Sequence, residues 1–551
     1  MKKLAIFALM ALTFVGCKEG QGFLDKEPDM RAHIDTKEKV RLLLVSAYTV
    51  GNNTALLEFS SDNVIDNNAP DAIGRTRNLL PLDKMYNDIF AWKPVVSGDA
   101  QDTPKFLWDA HYSAIAAANE ALQSIEQLEA QGINMDAEKG EALLIRAYHH
   151  FLLTMVFCQA YRTDELSSKD LGIVYMKKPE TTVKPTYTRP NLTETYKEIE
   201  QDLTEGLKLV SDEYYSVPKY HFNKLAAHAF AARFYLYTRQ WDKVVENANL
   251  VLTEDPEIAK SRLFDHTYEH VTCTNVEESQ NAWIDPQSPS NLLLNTTSSV
   301  VSYIIIPDYS RYHFNGDPID HTISGAGPCW GEGALTSAVS AWRIGSDPYG
   351  YFLAKFLYIF EYTDKVNGYG YVHGITRAFT SDETLLCRAE AKAQLNDLEG
   401  AVNDLKIWCE GMNVNHRVMD INADSTVNLT LAKINKFYNV QKGIYQYTPE
   451  LHNEDMVPGW VITEEQLPVV YACLHMRRIE TLHDGLRFQD LKRYGIEITH
   501  KQGRNPEDRL VWNDERRAIQ LPQEVILAGM EPNPRPQLTP LPAGSFTKLT
   551  K

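Results

Sequence analysis

The chain has 551 residues, 44% of them hydrophobic, with 55 Lys and Arg against 73 Asp and Glu for a formal net charge of −18. That is enough apolar material for a large core. The acidic balance, with no basic tract beyond Met476-Arg477-Arg478, Leu491-Lys492-Arg493 and Glu515-Arg516-Arg517, argues against a nucleic-acid footprint and against adhesion of the protein body to an anionic membrane surface.

In chain order, Met1-Lys2-Lys3 precedes an apolar or small run from Leu4 to Gly16, well short of the ~20 residues that a bilayer-spanning helix needs. A short positive start before a short apolar segment is the pattern of a secretory signal peptide. The run closes on Phe14-Val15-Gly16-Cys17, which resembles the bacterial lipobox, in which the cysteine is acylated before cleavage. A cleaved signal with an incidental cysteine is the alternative. Read as a lipobox, residues 1–17 are the leader and lipidated cysteine, and residues 18–551 are one tethered domain. The acyl chains on Cys17 would bury methylenes at about 0.8 kcal/mol each, which makes a durable anchor. The other cysteines, Cys158, Cys273, Cys329, Cys387, Cys409 and Cys473, show neither C-x-x-C nor zinc spacing. Disulfides are therefore not the framework, and isolated pairs stay open.

Helical blocks then alternate with long insertions. Residues 58–104 are rich in Asn, Asp, Gly, Pro and aromatics. Helical pairs are expected at 105–131 with 137–161, and 190–210 opens with Asn191 or Thr193 as a cap and apolar residues at 192, 196, 199 and 203. Residues 224–256 place Ala232, Tyr235, Trp241, Val244, Ala248 and Pro256 near the positions of a tetratricopeptide repeat. A second copy lies at 385–409, where Ala389 and Ala401 keep the spacing of Ala232 and Val244. The expected fold is all-α, a tetratricopeptide-like scaffold of roughly eight helices with repeats at about 105–256 and 381–495. The second insertion, 261–380, is far longer than an ordinary connection, and its aromatic content argues against disorder. The recognition surface is expected on the insertions.

The stretch His475–Gly495, "HMRRIETLHDGLRFQDLKRYG", resembles the C-terminal signature of the SusD/RagB family of outer-membrane nutrient-binding lipoproteins, R-R-x-E-L, then E-G-x-R, then D-L-x-R-W-G. Arg477, Arg478, Glu480, Gly485, Arg487, Asp490, Leu491, Arg493 and Gly495 match, while Thr481, Asp484 and Tyr494 replace Leu, Glu and Trp. "GFLDKEP" (22–28), "WDAHYSAIAAAN" (108–119), "IRAYHHFLL" (145–153), "LLCRAEAKAQLND" (385–397) and "LPQEVILAGMEPNP" (521–534) are similar to further family motifs in the same order. The usual terminal Q-N-P-G-Y is absent, since Gln537 is followed by Leu538-Thr539-Pro540. Within the signature, Arg487 with Asp490 and Arg477 with Glu480 have the spacing of local ion pairs among apolar residues, so a partly buried structural network is expected rather than catalysis.

The resemblance implies a SusD-like fold on the outer face of the outer membrane of Bacteroidetes-type bacteria. It also implies a lid over a SusC-type TonB-dependent transporter, capturing an oligosaccharide or peptide without covalent chemistry. A binder of that kind needs stacking aromatics beside amide and charged groups. The candidates are Trp92, with Asp66, Asn67, Asn68 and Arg75 from the preceding stretch, and Trp283, Tyr309, Trp330 and Trp342 from the long insertion. Acids at 62, 66, 71, 83 and 88 would favour cationic peptides or amino sugars. The rivals are a pure protein-interaction scaffold and a glycoside hydrolase. The latter needs only two carboxylates, which are unavoidable among 73 acids and so carry no information. H-E-x-x-H and G-x-S-x-G are absent. His149-His150 and His475 with His483 lack a metal spacing and read as helix-surface histidines, and 62–73 lacks the central Gly and final Glu of a calcium loop. No catalytic residue, metal or cofactor is assigned.

Overall fold

A computed structural model describes residues 34–535, apart from 72, 97, 181–185, 306–309, 315, 332–340, 344–350, 356 and 413–426. The leader, Cys17 and Tyr309 lie outside the described residues.

The scaffold is a stack of helical hairpins, as expected. Helix α2 (Asp136–Phe157) packs against both α1 (Pro104–Ala130) and α3 (Leu192–Leu209). α3 starts with a reciprocal capping box between Asn191 and Glu194, which settles the cap on Asn191, and buries Leu192, Tyr196, Ile199 and Leu203. The two repeats are α4 (Lys224–Thr238) with α5 (Trp241–Leu252), and α6 (Ser381–Gln394) with α7 (Leu398–Gly411). Ala232 and Ala389 are fully buried at the helix contacts. Seven residues beyond each, Arg239 and Asn396 both take a left-handed conformation, φ 60° and 65°, so the two turns are built alike. α8 (Leu431–Val440), α9 (Leu467–Glu480) and α10 (Arg487–Arg493) complete the helices used below.

The second insertion is more regular than its composition suggested. It contains a three-stranded antiparallel sheet of Asn291–Thr297, Tyr369–Thr380 and Tyr358–Asp364, with the second in the middle. The middle strand runs straight into α6, whose N-cap is Thr380, so sheet and scaffold are continuous.

The signature motif is a buried ionic knot in which one local pair, Arg493 with Asp490, is joined by partners distant in sequence. Arg477 donates to Asp490 at 3.2 Å, and Arg493 bridges Asp490, at 2.9 Å, to Glu390. Arg487 reaches Asp62 with two bonds of 2.8 Å, and Arg478 donates to Asn63 and to the Asp62 carbonyl. Glu480 instead accepts from Trp408 Nε1 at 3.1 Å. Burial pushes the Asp490 and Asp62 carboxyls up, but the guanidiniums beside them outweigh it and hold both below the usual carboxylate range. Gly485 has φ 75°, and a Cβ there would stand 2.9 Å from Thr54 Cα, which accounts for a glycine in the motif.

The histidines differ from expectation. His149 and His150 on α2, His475 on α9 and His483 in the turn that follows α9 are buried, because these segments are covered by neighbouring elements. Burial holds their rings down, to about 4 for His149 and about 3 for the other three.

Candidate functional site

Three segments remote in sequence meet at one edge of the scaffold. Strand β1 (Ile65–Asp66) pairs antiparallel with β2 (Tyr312–His313), joining the first insertion to the second. Asn67 reinforces the join: its N–H donates to Arg311 O at 2.7 Å and its Nδ2 to Ser310 O at 2.8 Å. The third segment is the hairpin of β3 (Ile498–His500) and β4 (Asp508–Leu510), which directly follows the signature.

Asp66 ties the three together. Its carboxylate accepts from Arg311 Nη2 at 2.9 Å, from Gly503 N at 3.0 Å and from Asn68 N at 2.9 Å. Arg311 thereby fixes the second insertion, and Gly503 the hairpin. Asn68 closes the loop by exchanging two 2.8 Å bonds with the Leu79 backbone.

The result is an open cleft of about 800 Å³. Asp66, Asn67 and Arg75 line it, together with Arg77, Asp317, Lys501 and Glu507. Arg75 is largely exposed and is held by Asp71 at 2.8 Å, a surface pair worth little in stability and free to re-form around a ligand. The floor is aromatic: Phe90 and His500 both line the cleft, with rings stacked at 4.1 Å and 7°. Trp92 stacks on the other face of the same motif, 4.2 Å from His500 at 13°, and donates Nε1–H to Ser60 O at 3.0 Å. His500 lies between the carbonyls of Phe90 and Ser61, at 2.7 and 2.8 Å, and burial keeps its ring below the ordinary imidazole range. Charged and amide groups around such a cleft can orient a polyhydroxylated or peptidic ligand by hydrogen bonds, with the buried rings beneath them holding the floor rigid.

Of the residues singled out in the sequence, Asp66, Asn67 and Arg75 come together in this cleft, Asn68 braces it, and Trp92 supports it from behind. Trp92 is 5% exposed, so it serves as backing for the floor rather than as an open platform. Trp283, 1% exposed, stacks on Phe264 at 4.1 Å with the Arg377 guanidinium 4.2 Å from its ring, in a small separate core. Trp342 packs half-buried against that core, and Trp330 is buried elsewhere, against Trp408 and His475. Large rings are used here to give a long insertion its own interior. The reasoning from sequence missed Arg77, Asp317 and the 499–507 hairpin. Its signal was present: "HKQGRNPEDR" is a charge-dense turn between two short strands.

A second cleft of about 650 Å³ lies between α1, residues 174–180 with Tyr187, and residues 525–530. Trp108, Tyr112, Met176, Val525 and Met530 make it largely apolar. Among the described residues no group of His, Cys, Asp and Glu is arranged to hold a metal ion.

Comparison with known proteins accords with this architecture. Residues 22–236 match the SusD-like family described as starch-binding and associating with the outer membrane. No curated protein matches the sequence. Among solved structures, a SusD superfamily protein from Bacteroides thetaiotaomicron is 16% identical, with a TM-score of 0.58 over 90% of this chain and 99% of that one. One from Bacteroides fragilis is 17% identical, with a TM-score of 0.58 over 90% and 98%. A protein from Bacteroides vulgatus titled a putative sugar binding protein is 16% identical, with a TM-score of 0.58 over 91% and 99%.

Proposed function

We propose that the chain is a SusD-like surface nutrient-binding lipoprotein that captures an oligosaccharide in the cleft of Asn67, Arg75 and Lys501, a reading supported by the family match over residues 22–236 and by the shared fold. The observation that carries the reading is the convergence of both insertions and the 498–510 hairpin on that cleft, all knotted at Asp66. Such a design uses the helical stack as a rigid support and leaves recognition to the loops it displays.

A carbohydrate is favoured over a peptide by the family's starch-binding description and by the similar protein titled as sugar binding. Binding without catalysis is favoured by the placement of the carboxyls that burial pushes up strongly. Glu58 and Glu480 rise to about 7 and Asp102 to about 6, and all three lie inside the scaffold rather than on the cleft. Lipidation at Cys17 would hold the protein on the outer membrane, and among the described residues no helix is long and apolar enough to cross a bilayer. A tether of that kind makes capture for a SusC-type TonB-dependent transporter effectively intramolecular, with the protein acting as its lid.

The test is calorimetric titration of the purified protein against panels of oligosaccharides and peptides, with chromatography of each mixture afterwards. Saturable binding of an oligosaccharide recovered intact is the expected result. A cleaved ligand would replace the binder with an enzyme, and saturable binding of peptides alone would overturn the assignment of substrate class.

A further inference from the structure

Two cysteines that sequence leaves unassigned are brought into contact by the fold. Cys329 lies in the second insertion and Cys409 in α7, 80 positions apart, yet their Sγ atoms are 2.7 Å from one another. Non-bonded heavy atoms settle at roughly 3.5–4 Å, so the two sulfurs are inside ordinary contact and a short movement from the ~2.0 Å of a covalent bond. Among the described residues no other pair of cysteines is recorded in such contact.

The surroundings hold the pair in place. Cys329 sits in a tight turn closed by two 3.1 Å bonds between Gly327 and Gly331. Trp330 folds back over that turn and donates Nε1–H to Gly325 O at 3.0 Å, and a Cβ at residue 327 would overlap its ring. The ring then packs between Trp408, next to Cys409, and His475 on α9. Tyr447 receives the turn from the other side, accepting from Ala326 N at 3.1 Å. The neighbours of both cysteines are thus locked against each other, which removes most of the cost of aligning the sulfurs.

We propose that Cys329 and Cys409 form a disulfide that staples the second insertion to the helical scaffold. The insertion supplies Asp317 to the cleft and braces its Asp66–Asn67 wall through Ser310 and Arg311, so this stretch would be held at one end by the pairing of β1 with β2 and at the other by the staple. The oxidant is a thiol–disulfide exchange partner of the kind met outside the cytoplasm, and in that respect the inference rests on the exported placement proposed above. Cys329 is the half-buried member and Cys409 the buried one, so exchange begins at Cys329. Its thiolate attacks the partner disulfide and one thiolate leaves. Cys409 then gives up its proton and attacks Cys329 Sγ, and the second thiolate leaves. Two protein thiols are oxidised and one partner disulfide is reduced to two thiols.

The test is peptide mapping of the purified full chain after incubation in an oxidised and reduced glutathione buffer, with alkylation before non-reducing digestion and mass spectrometry. The expected result is a linked pair of peptides carrying Cys329 and Cys409, and two fewer titratable thiols than after reduction. Cys329→Ser is expected to abolish both changes, and reduction of the wild-type bond to lower Tm by about 2–5 °C. Separate alkylated peptides for both cysteines, or a link to any other cysteine, would overturn the staple. Because oxidation is done in the tube, this failure is independent of export. A bond that forms in the tube but is missing from protein taken from cells would support the staple and count against the exported placement.

Discussion

Replacing Asp62 by Asn is the sharpest probe of how the scaffold presents its cleft. Asp62 stands at the start of the loop that carries Asp66, Asn67 and Arg75, and its carboxylate is the anion between two buried guanidiniums, Arg478 and Arg487, 1% and 2% exposed. It accepts two 2.8 Å bonds from Arg487 and lies 3.8 Å from Arg478. Asparagine keeps the shape but leaves two cations facing each other without a counter-charge, and breaking a buried pair in this way costs about 3–5 kcal/mol. An unfolding entropy of ~2.1 cal/mol/K per residue over roughly 500 residues makes 1 kcal/mol worth ~1 °C, so Tm is expected to fall by ~3–5 °C. Adding Arg487→Met should recover about half of the loss, since the partners couple. The sign with pH follows from the depressed carboxyl. Its stabilisation is present above the unfolded value of ~3.9 and is lost as pH falls towards the folded one, so the variant should converge on wild type in acid. Differential scanning calorimetry of the three proteins checks this, and a Tm for Asp62→Asn within 1 °C of wild type at pH 7 would refute the reasoning.

Trp92→Ala should destabilise by about 3–5 kcal/mol, because it removes the backing of the His500 stack and the bond to Ser60; a variant with unchanged Tm would return Trp92 to the role of an open platform. Gly485→Ala, forced into a left-handed backbone and against Thr54 Cα, should cost about 2–4 kcal/mol by the same thermal assay. His149, His150, His475 and His483, together with His111, are held below their unfolded value of ~6.5, so their contribution is complete above that pH and lost as pH falls through it. Glu58 and Glu480, raised to about 7, and Asp102, raised to about 6, act oppositely, but they are outnumbered by the buried histidines, so stability is expected to fall as pH drops from 7 to 5. A Tm that stays level from pH 7 to pH 5 would contradict that burial.

What could be read in advance follows the range of the interactions involved. Helix faces are set by neighbours three and four residues away, so the helix start at Asn191 or Thr193 and the two repeats were legible, and the structure then settled the cap on Asn191. The signature's glycine and charges announced a buried structural network, but its partners did not follow from spacing: Arg487 pairs with Asp62, 425 residues earlier, and not with Asp490. The histidines of α2 and α9 were misplaced for a related reason. A helix covered on every side has no polar face to reveal which positions are exposed. For the cleft, local composition found the loop of Asp66, Asn67 and Arg75, while the tryptophans drew attention to the interior of the insertion. Packing density decides whether a ring is a platform or a core residue, and that depends on segments far away in sequence, such as the hairpin that places His500 between Phe90 and Trp92.

The central claim is that the cleft captures the ligand, and it is tested most directly by titrating the best oligosaccharide from the panel into Arg75→Ala and Lys501→Ala. Neither residue belongs to the scaffold core, and circular dichroism and Tm should be unchanged. The account predicts an affinity at least ~10-fold weaker in one or both, equivalent to about 1.4 kcal/mol. Wild-type affinity in both variants, with full loss on substitution of Trp108 or Tyr112 in the apolar cleft, would contradict it.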